Sequence, residues 1–429
     1  MKDTLIKFKQ HPKYSTILNW GRLISVTGGA QILLQAIGFV SGILIIRLLP
    51  VEEYALYTLA NTMLGTMTVL ADGGISTGVM AQGAKVWKEK DKLGMVLSTG
   101  LYLRRKFAIG SLIVAAPILI YLLFHNGASW LTTVLIVLSL IPAFFAALSD
   151  TLLEIVPKLH QDILPLQKNQ VAVGVGRLLL TALTIFIFPW AFIAILASGI
   201  PRILGNIKLK KIAHQFADKD QKSDPAIQGE IMQMVKKILP GAIYYCVSGQ
   251  ITIWLISIFG KIESVAQLGA LGRFAVLLSL FNVLVGTLII PRYARLIEDK
   301  ALLLKRFLQI LFLLTILMCA FIVLTYLFSD QLLWILGKNY YGLRNELVLN
   351  IAGTCIGLIG GVCFSLYTSR GWVVNPIFSI SISVLSIAVG AFLFNVGSLN
   401  GVLIFNLFLA AVQVVLHGGY CLIKIINIK

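Results

Sequence analysis

"ILIIRLLPVEEYALYTLANTMLGTMTVLADGGISTGVMAQGAK", residues 43–85, decides how this chain folds. Two apolar runs meet at Pro50, and the second closes on Asp72, Gly73 and Gly74 before charge returns at Lys85. An apolar run of about twenty residues crosses a hydrocarbon core of about 30 Å as a helix. Pro50 cannot continue the first helix, and paired glycines let the second end or bend. The stretch therefore reads as the end of one transmembrane helix, a tight turn and a second helix. Asp72 is the anomaly, because an acid at a helix C-terminus meets an unfavourable dipole and requires a partner.

Working outward, the same pattern fills the chain. It has 429 residues, 58% hydrophobic and 13% charged, with a mean hydropathy of +0.89. Soluble proteins carry about 25% charged residues, so most of this chain belongs in lipid. The first apolar run is too long for the core of a signal peptide and has no small-residue cleavage pattern, so nothing is expected to be removed. Twelve spans are expected, at about 23–49, 54–80, 95–124, 129–152, 170–188, 190–206, 236–260, 266–290, 307–328, 347–368, 376–395 and 400–423. The expected fold is an all-α integral membrane protein of about twelve transmembrane helices.

Basic residues set the orientation. Arg47, Lys261, Arg273, Lys338 and Arg344 fall on one side, and the remaining 31 of the 36 lysines and arginines on the other. Both termini then face the cytoplasm. The net charge of +18 follows from this bias and suits anionic lipid headgroups, and nucleic acid is not called for. The polar stretch "KLKKIAHQFADKDQKSDPAIQGEIMQMVKK" separates two sets of six spans. That gives an N-terminal bundle over 1–207, a cytoplasmic linker over 208–235 and a C-terminal bundle over 236–429. "EYALYTLANTM" (53–63) also resembles "QLGALGRFAVL" (267–277), a faint repeat between the halves. Repeated halves are common in transporters, with the substrate held between them.

Several functions lack their motifs. No G-x-x-x-x-G-K-[ST] occurs for ATP binding, and no G-x-S-x-G elbow. No external loop is large enough for a glycan polymerase, and no filter-like loop marks a channel. The five cysteines lie within apolar runs and the five histidines are scattered, so neither a metal nor a cofactor is expected. By elimination, the chain is expected to be a secondary transporter or flippase and not an enzyme.

The opening stretch resembles the polysaccharide-biosynthesis flippases, the oligosaccharide-lipid branch of the superfamily that includes the MATE multidrug transporters. Arg47, Leu48, Pro50, Glu53, Tyr54 and Tyr57 stand where that branch has its Arg-Leu-hydrophobic-Pro element and the acid and aromatics after it. Asp72, Gly73, Gly74 and Ile75 match its Asp-x-Gly-Ile element, and "IIPRYARL" matches the exit of span 8. The resemblance implies two bundles around a central cavity that opens alternately to either side of a bacterial inner membrane. Its implied cargo is an undecaprenyl-diphosphate-linked oligosaccharide for O-antigen, capsule or exopolysaccharide, with a glycan polymerase as a possible partner. Lipid II flippases of the superfamily usually have fourteen spans, and twelve points away from them.

Against that background, Arg47, Arg177 and Arg273 are candidates to bind the diphosphate, because guanidinium forks meet phosphate bidentately and stay charged. Arg273 stands inside span 8, where a charge needs water or a partner. For Arg47, snorkelling or pairing with Glu52 or Glu53 is the other reading, and for Arg177 an interfacial anchor. Gln31, Gln250 and Asn282 are candidates for sugar hydroxyls, and interhelical hydrogen bonding remains open for each. Tyr244, Tyr245 and Trp254 could stack on sugars or anchor the interface. Asp72, Gly73 and Gly74 are read as a hinge at a helix end, with Asp72 paired to a cytoplasmic Arg or backbone amides. Two alternatives are a cation-coupled multidrug antiporter and a membrane glycan polymerase; the first needs acids deep in a bundle, and the acids here cluster near span ends.

Overall fold

The computed structural model describes residues 12–372 and 374–428, with side chains from residue 28 onward apart from ten positions within helices, among them Tyr245 and Pro291. Lys2, Lys7 and Lys9 of the basic N-terminal segment lie outside the described residues. The helices are α1 (Pro12–Leu48), α2 (Val51–Asp72), α3 (Ile75–Val86), α4 (Lys90–His125), α5 (Trp130–Leu153), α6 (Ile155–Leu159), α7 (Ile163–Ile187) and α8 (Ala191–Phe216). They continue with α9 (Pro225–Phe259), α10 (Ile262–Leu284), α11 (Ile290–Ala294), α12 (Lys300–Leu327), α13 (Ser329–Leu336), α14 (Arg344–Thr368), α15 (Pro376–Leu393) and α16 (Leu399–Ile426).

Twelve of these helices, among the described residues, are 18 residues or longer, the number expected. Ten are long and apolar enough on their own to cross a membrane. Their ends follow local chemistry. Ser129, Asp299, Asn375 and Ser398 cap α5, α12, α15 and α16 by accepting from Thr132, Leu302, Ile377 and Gly401 backbone N–H groups. Pro376 sits at the first turn of α15, where its missing N–H costs nothing.

Three expectations change in detail. The span read as 54–80 is two helices, because α2 stops at Asp72 and α3 starts at Ile75, with Gly73 at φ 48° and Gly74 at φ 99° between them. The stretch expected as a linker is helical up to Phe216 and again from Pro225, leaving only 217–224 irregular. Asp224 caps α9 by accepting from Ala226 and Ile227 N–H groups, and its own N–H donates to Thr99 Oγ1 at 2.9 Å. The external loop 329–346 contains the helix α13 and a 3-10 turn at Lys338–Tyr340.

Contacts divide the chain into two compact units. The first holds the chain up to Ile45, Ala60–Tyr121 and Ser129–Val247. Its apolar core includes Ile75 and Val79 of α3, Leu97 of α4, Leu153 of α5, Leu209 of α8, and Ile231 and Val235 of α9. The first turns of α9 are therefore built into this core and do not hang free. The second unit holds Ser248–Lys429 together with Ile46–Leu59 and Leu122–Ala128. Small residues bring α14 against α16 there: a Cβ on Gly360 would lie 3.4 Å from Val414.

Candidate functional site

The second unit carries a half-buried cation well inside a helix. Tyr54, Tyr57 and Thr58 share one face of α2 at i, i+3 and i+4, and all three are buried. Gly269 of α10 meets this face; a Cβ there would come within 2.7 Å of Thr58 Cγ2 and Oγ1, so only glycine permits the crossing. One turn further along α10, Arg273 lies against the hydroxyls of Tyr54 and Tyr57, whose rings stack with centroids 6.2 Å apart. The Tyr54 hydroxyl is itself buried and completes no hydrogen bond of good geometry. Tyr340, at the end of the 3-10 turn, is 1% exposed and within electrostatic range of Tyr54.

Arg273 stands eleven residues into α10, roughly 16 Å along a helix rising about 1.5 Å per residue. An arginine at such depth costs about 2.5–3.5 kcal/mol on insertion scales. Among the described residues, Asp72 pairs with Arg104, Asp150 with Arg202, Glu154 with Lys158 and Glu298 with Arg370. Among the described residues Arg273 has no such carboxylate, and the polar groups against it are the Tyr54 and Tyr57 hydroxyls.

Arg47, also in this unit, does not pair with Glu52 or Glu53. Its Nε and Nη2 donate to the carbonyls of Ile335 and Trp334 at 2.8 and 2.6 Å, and its guanidinium lies 5.1 Å from the Trp334 ring centroid. It thus closes the C-terminus of α13, where a cation complements the helix dipole. Gln250 is half-buried on α9, one turn before Trp254, whose indole N–H is buried without an acceptor. Asn282 is exposed on α10.

The first unit holds the other candidates. Asp72 pairs with Arg104 of α4, whose side chain is 3% exposed. Arg104 also donates to Leu148 O at 2.6 Å and to Thr151 Oγ1, both on α5. The Asp72 carboxylate further accepts from Ser76 N, Ser76 Oγ and Gly74 N. It therefore ends α2 and caps α3 at once. The unfavourable dipole of one helix is offset by the favourable N-terminus of the next and by a guanidinium. Gly73 and Gly74 are required by their positive φ and by packing, since a Cβ on Gly74 would sit 2.8 Å from Ile238 Cβ. Arg177 is half-buried on α7 with Nε lacking an acceptor, and Gln31 is exposed on α1.

The structure thus brings Arg273 together with Tyr54 and Tyr57, and Asp72 with Gly73 and Gly74. Sequence reasoning missed Arg104, hidden in the basic run "LRRK", and Tyr340, hidden in an external loop. It also missed the cluster in which Asn206 and Arg202 of α8 donate to Asp150 of α5 at 2.6 and 3.0 Å. Among the described residues no group of three or more His, Cys, Asp and Glu side chains could hold a metal.

No protein-family model and no curated protein matches the chain. Solved structures do. A multidrug resistance MATE family transporter of the MOP superfamily, inward-facing, is 14% identical, with 92% of this chain and 95% of that one covered at a TM-score of 0.69. The lipid II flippase MurJ, inward closed, is 14% identical, with 93% of this chain and 89% of that one covered at a TM-score of 0.70. A MOP superfamily transporter from Pyrococcus furiosus, whose binding pocket of reverse polarity suggests a different function, is 13% identical, with 95% and 94% covered at a TM-score of 0.58. Over more than nine-tenths of its length, the chain has the fold of the MOP superfamily transporters.

Proposed function

We propose that this chain is a flippase for a lipid-linked oligosaccharide, and that Arg273 receives the anionic diphosphate of the cargo during alternating access. The observation that carries the reading is a guanidinium set well inside α10 against tyrosine hydroxyls, with no carboxylate paired to it among the described residues. A charge held at that depth is functional by default, and a guanidinium remains cationic at any physiological pH and grips phosphate bidentately. The acids weigh the same way. Asp72 and Asp150 are already paired with arginines, which leaves them poor sites for a cationic drug or a coupling ion. The polyprenyl tail stays in lipid, and buried donors without partners, such as the Trp254 indole N–H and Asn350 Nδ2, suit a hydroxyl-rich headgroup.

In this reading, the chain serves surface polysaccharide synthesis in a bacterial inner membrane, both termini face the cytoplasm, and a glycan polymerase acts on the flipped product. Two six-span bundles provide the alternating access, and the α2–α3 break at Asp72, Gly73 and Gly74 serves as a helix-end hinge. Arg47 supports the outer end, and Arg177, Gln31, Gln250 and Asn282 contribute polar lining. An inside-negative potential favours outward movement of an anion by about 2.3 kcal/mol per charge per 100 mV. The test is a proteoliposome assay with a fluorescent undecaprenyl-diphosphate oligosaccharide, scored by accessibility to added glycosidase. Wild type flips, Arg273→Ala inserts normally and loses at least about tenfold in rate, and Arg273→Lys recovers part of it because the charge survives without the fork. Wild-type flipping by Arg273→Ala would refute the assignment.

A further inference from the structure

The external loop 329–346 builds a cleft that the flipping reading does not use. Its volume is ≈370 Å³, and it is lined by Arg47, Trp334, Lys338, Asn339, Tyr340 and Tyr341 together with apolar backbone neighbours. That size falls within the roughly 300–1,000 Å³ of small-molecule sites. Its construction follows from sequence. Helix α13 stops at Gly337, whose φ of 110° turns the chain back so that Lys338, Asn339 and Tyr341 stand over the helix end. A Cβ at Gly337 would approach Arg47 Cγ to 3.6 Å, so the turn rests on the arginine stem.

Two features give the cleft a chemistry. The first is charge: Arg47 and Lys338 are the charged side chains lining it. Arg47 spends two donors on the Trp334 and Ile335 carbonyls, and the C-terminal dipole of α13 offsets only roughly half a charge. The cleft therefore holds a net positive charge. The second is aromatic surface. Arg47 covers one face of Trp334, yet Trp334 remains 61% exposed, and Tyr341 is 51% exposed. A flat aromatic face beside amide and cationic donors suits a sugar ring, with its C–H face on the aromatic and its hydroxyls on Asn339. The cationic pair calls for an anionic substituent.

We propose that this cleft binds an acidic sugar residue, its ring against Trp334 and Tyr341 and its carboxylate or phosphate between Arg47 and Lys338. Tyr340 lines the same cleft and lies within electrostatic range of Tyr54, whose hydroxyl faces Arg273. The link to cargo rests on the flipping reading; the binding itself does not.

The experiment uses the full chain in phosphatidylcholine nanodiscs, with no anionic lipid present. Binding of trigalacturonate, of neutral maltotriose and of inorganic phosphate is measured by calorimetry and saturation-transfer NMR. Trigalacturonate is expected to bind at least about tenfold more tightly than maltotriose. Lys338→Gln and Trp334→Ala should each weaken it about tenfold, while Trp334→Phe retains most of the affinity and Lys261→Gln all of it. Equal affinity for maltotriose would overturn the cationic half of the proposal. Phosphate alone binding as tightly as trigalacturonate would assign the cleft to lipid headgroups instead. Affinity unmoved by Trp334→Ala and Lys338→Gln, in variants that elute as wild type does, would place any binding elsewhere. Flipping without binding sinks this inference alone, and binding without flipping sinks only the flippase reading.

Discussion

Asp72 and Arg104 form a pair whose two halves are unequally buried, and that inequality fixes what each substitution should do. The Arg104 side chain is 3% exposed and the Asp72 side chain 28%. Asp72→Asn leaves a guanidinium sealed from water with no counter-charge, only neutral acceptors in the new amide oxygen, the Leu148 carbonyl and the Thr151 hydroxyl. Breaking a buried ion pair from one side costs about 3–5 kcal/mol; the partial exposure of Asp72 screens the pair and brings the figure to about 2–3 kcal/mol. Arg104→Met leaves instead a carboxylate that reaches water and still accepts from Gly74 and Ser76, so its cost is about 1 kcal/mol. At about 2–4 °C per kcal/mol for a unit of this size, Asp72→Asn should lower the melting temperature by roughly 5–10 °C and Arg104→Met by a few degrees. The double variant should lie close to Arg104→Met, because no stranded cation remains. Thermal unfolding in detergent, followed by fluorescence-detected size exclusion, measures all three. If Arg104→Met proves as damaging as Asp72→Asn, or the double variant is worse than both, the burial argument is wrong.

Other sites give sharper or simpler expectations. Gly269→Ala should abolish flipping while sparing insertion, since its Cβ would meet Thr58 at 2.7 Å and push Arg273 off the tyrosines; Thr58→Ala removes the obstructing atoms, and rescue by the double variant in the proteoliposome assay checks the geometry. Gly74→Ala, at φ 99° and against Ile238, should cost roughly 1–3 kcal/mol, read as a lowered melting temperature that trimming Ile238 to Ala does not restore. Arg47→Gln uncaps α13 and should raise hydrogen exchange over 329–341 about tenfold, corresponding to roughly 1.4 kcal/mol. The Asp218 carboxyl is held below its usual value chiefly by the Gln221 side-chain amide and then by the Asp220 N–H. A depressed carboxylate stabilises above its usual value and loses that contribution as pH falls through the lowered one. Hydrogen exchange in the 217–224 turn should accordingly quicken only on acidification below the usual carboxylate range, and Asp218→Asn should erase the change.

What the sequence made legible divides along a physical line. Membrane spans are legible because length and apolarity are local properties, and the break at Asp72 was legible because two adjacent glycines after an acid have few other uses. Partners were not. Arg104 sits beside Arg105 in a run whose charge already had an explanation in the positive-inside bias, so nothing singled out the one of the two that is buried. Arg47 was expected to meet a phosphate or a carboxylate and instead meets backbone carbonyls, acceptors that every residue carries and no sequence displays.

Tyr54, Tyr57 and Arg273 fall between these cases. The resemblance marked the tyrosines, and insertion cost marked the arginine, as separate oddities in opposite halves of the chain. Only packing joins them, and it does so through Gly269, whose sole contribution is the absence of a side chain. The same holds for the outer cleft: α13 is eight residues long, too short for periodicity to announce it, and begins with polar residues that read as loop. The proposed sites lie where helices stop or where they touch, and both kinds of place are set by what glycine permits. Substitutions at Gly74 and Gly269 should therefore disturb transport more than substitutions at any single exposed polar residue such as Gln31 or Asn282, although neither glycine can bind anything through a side chain.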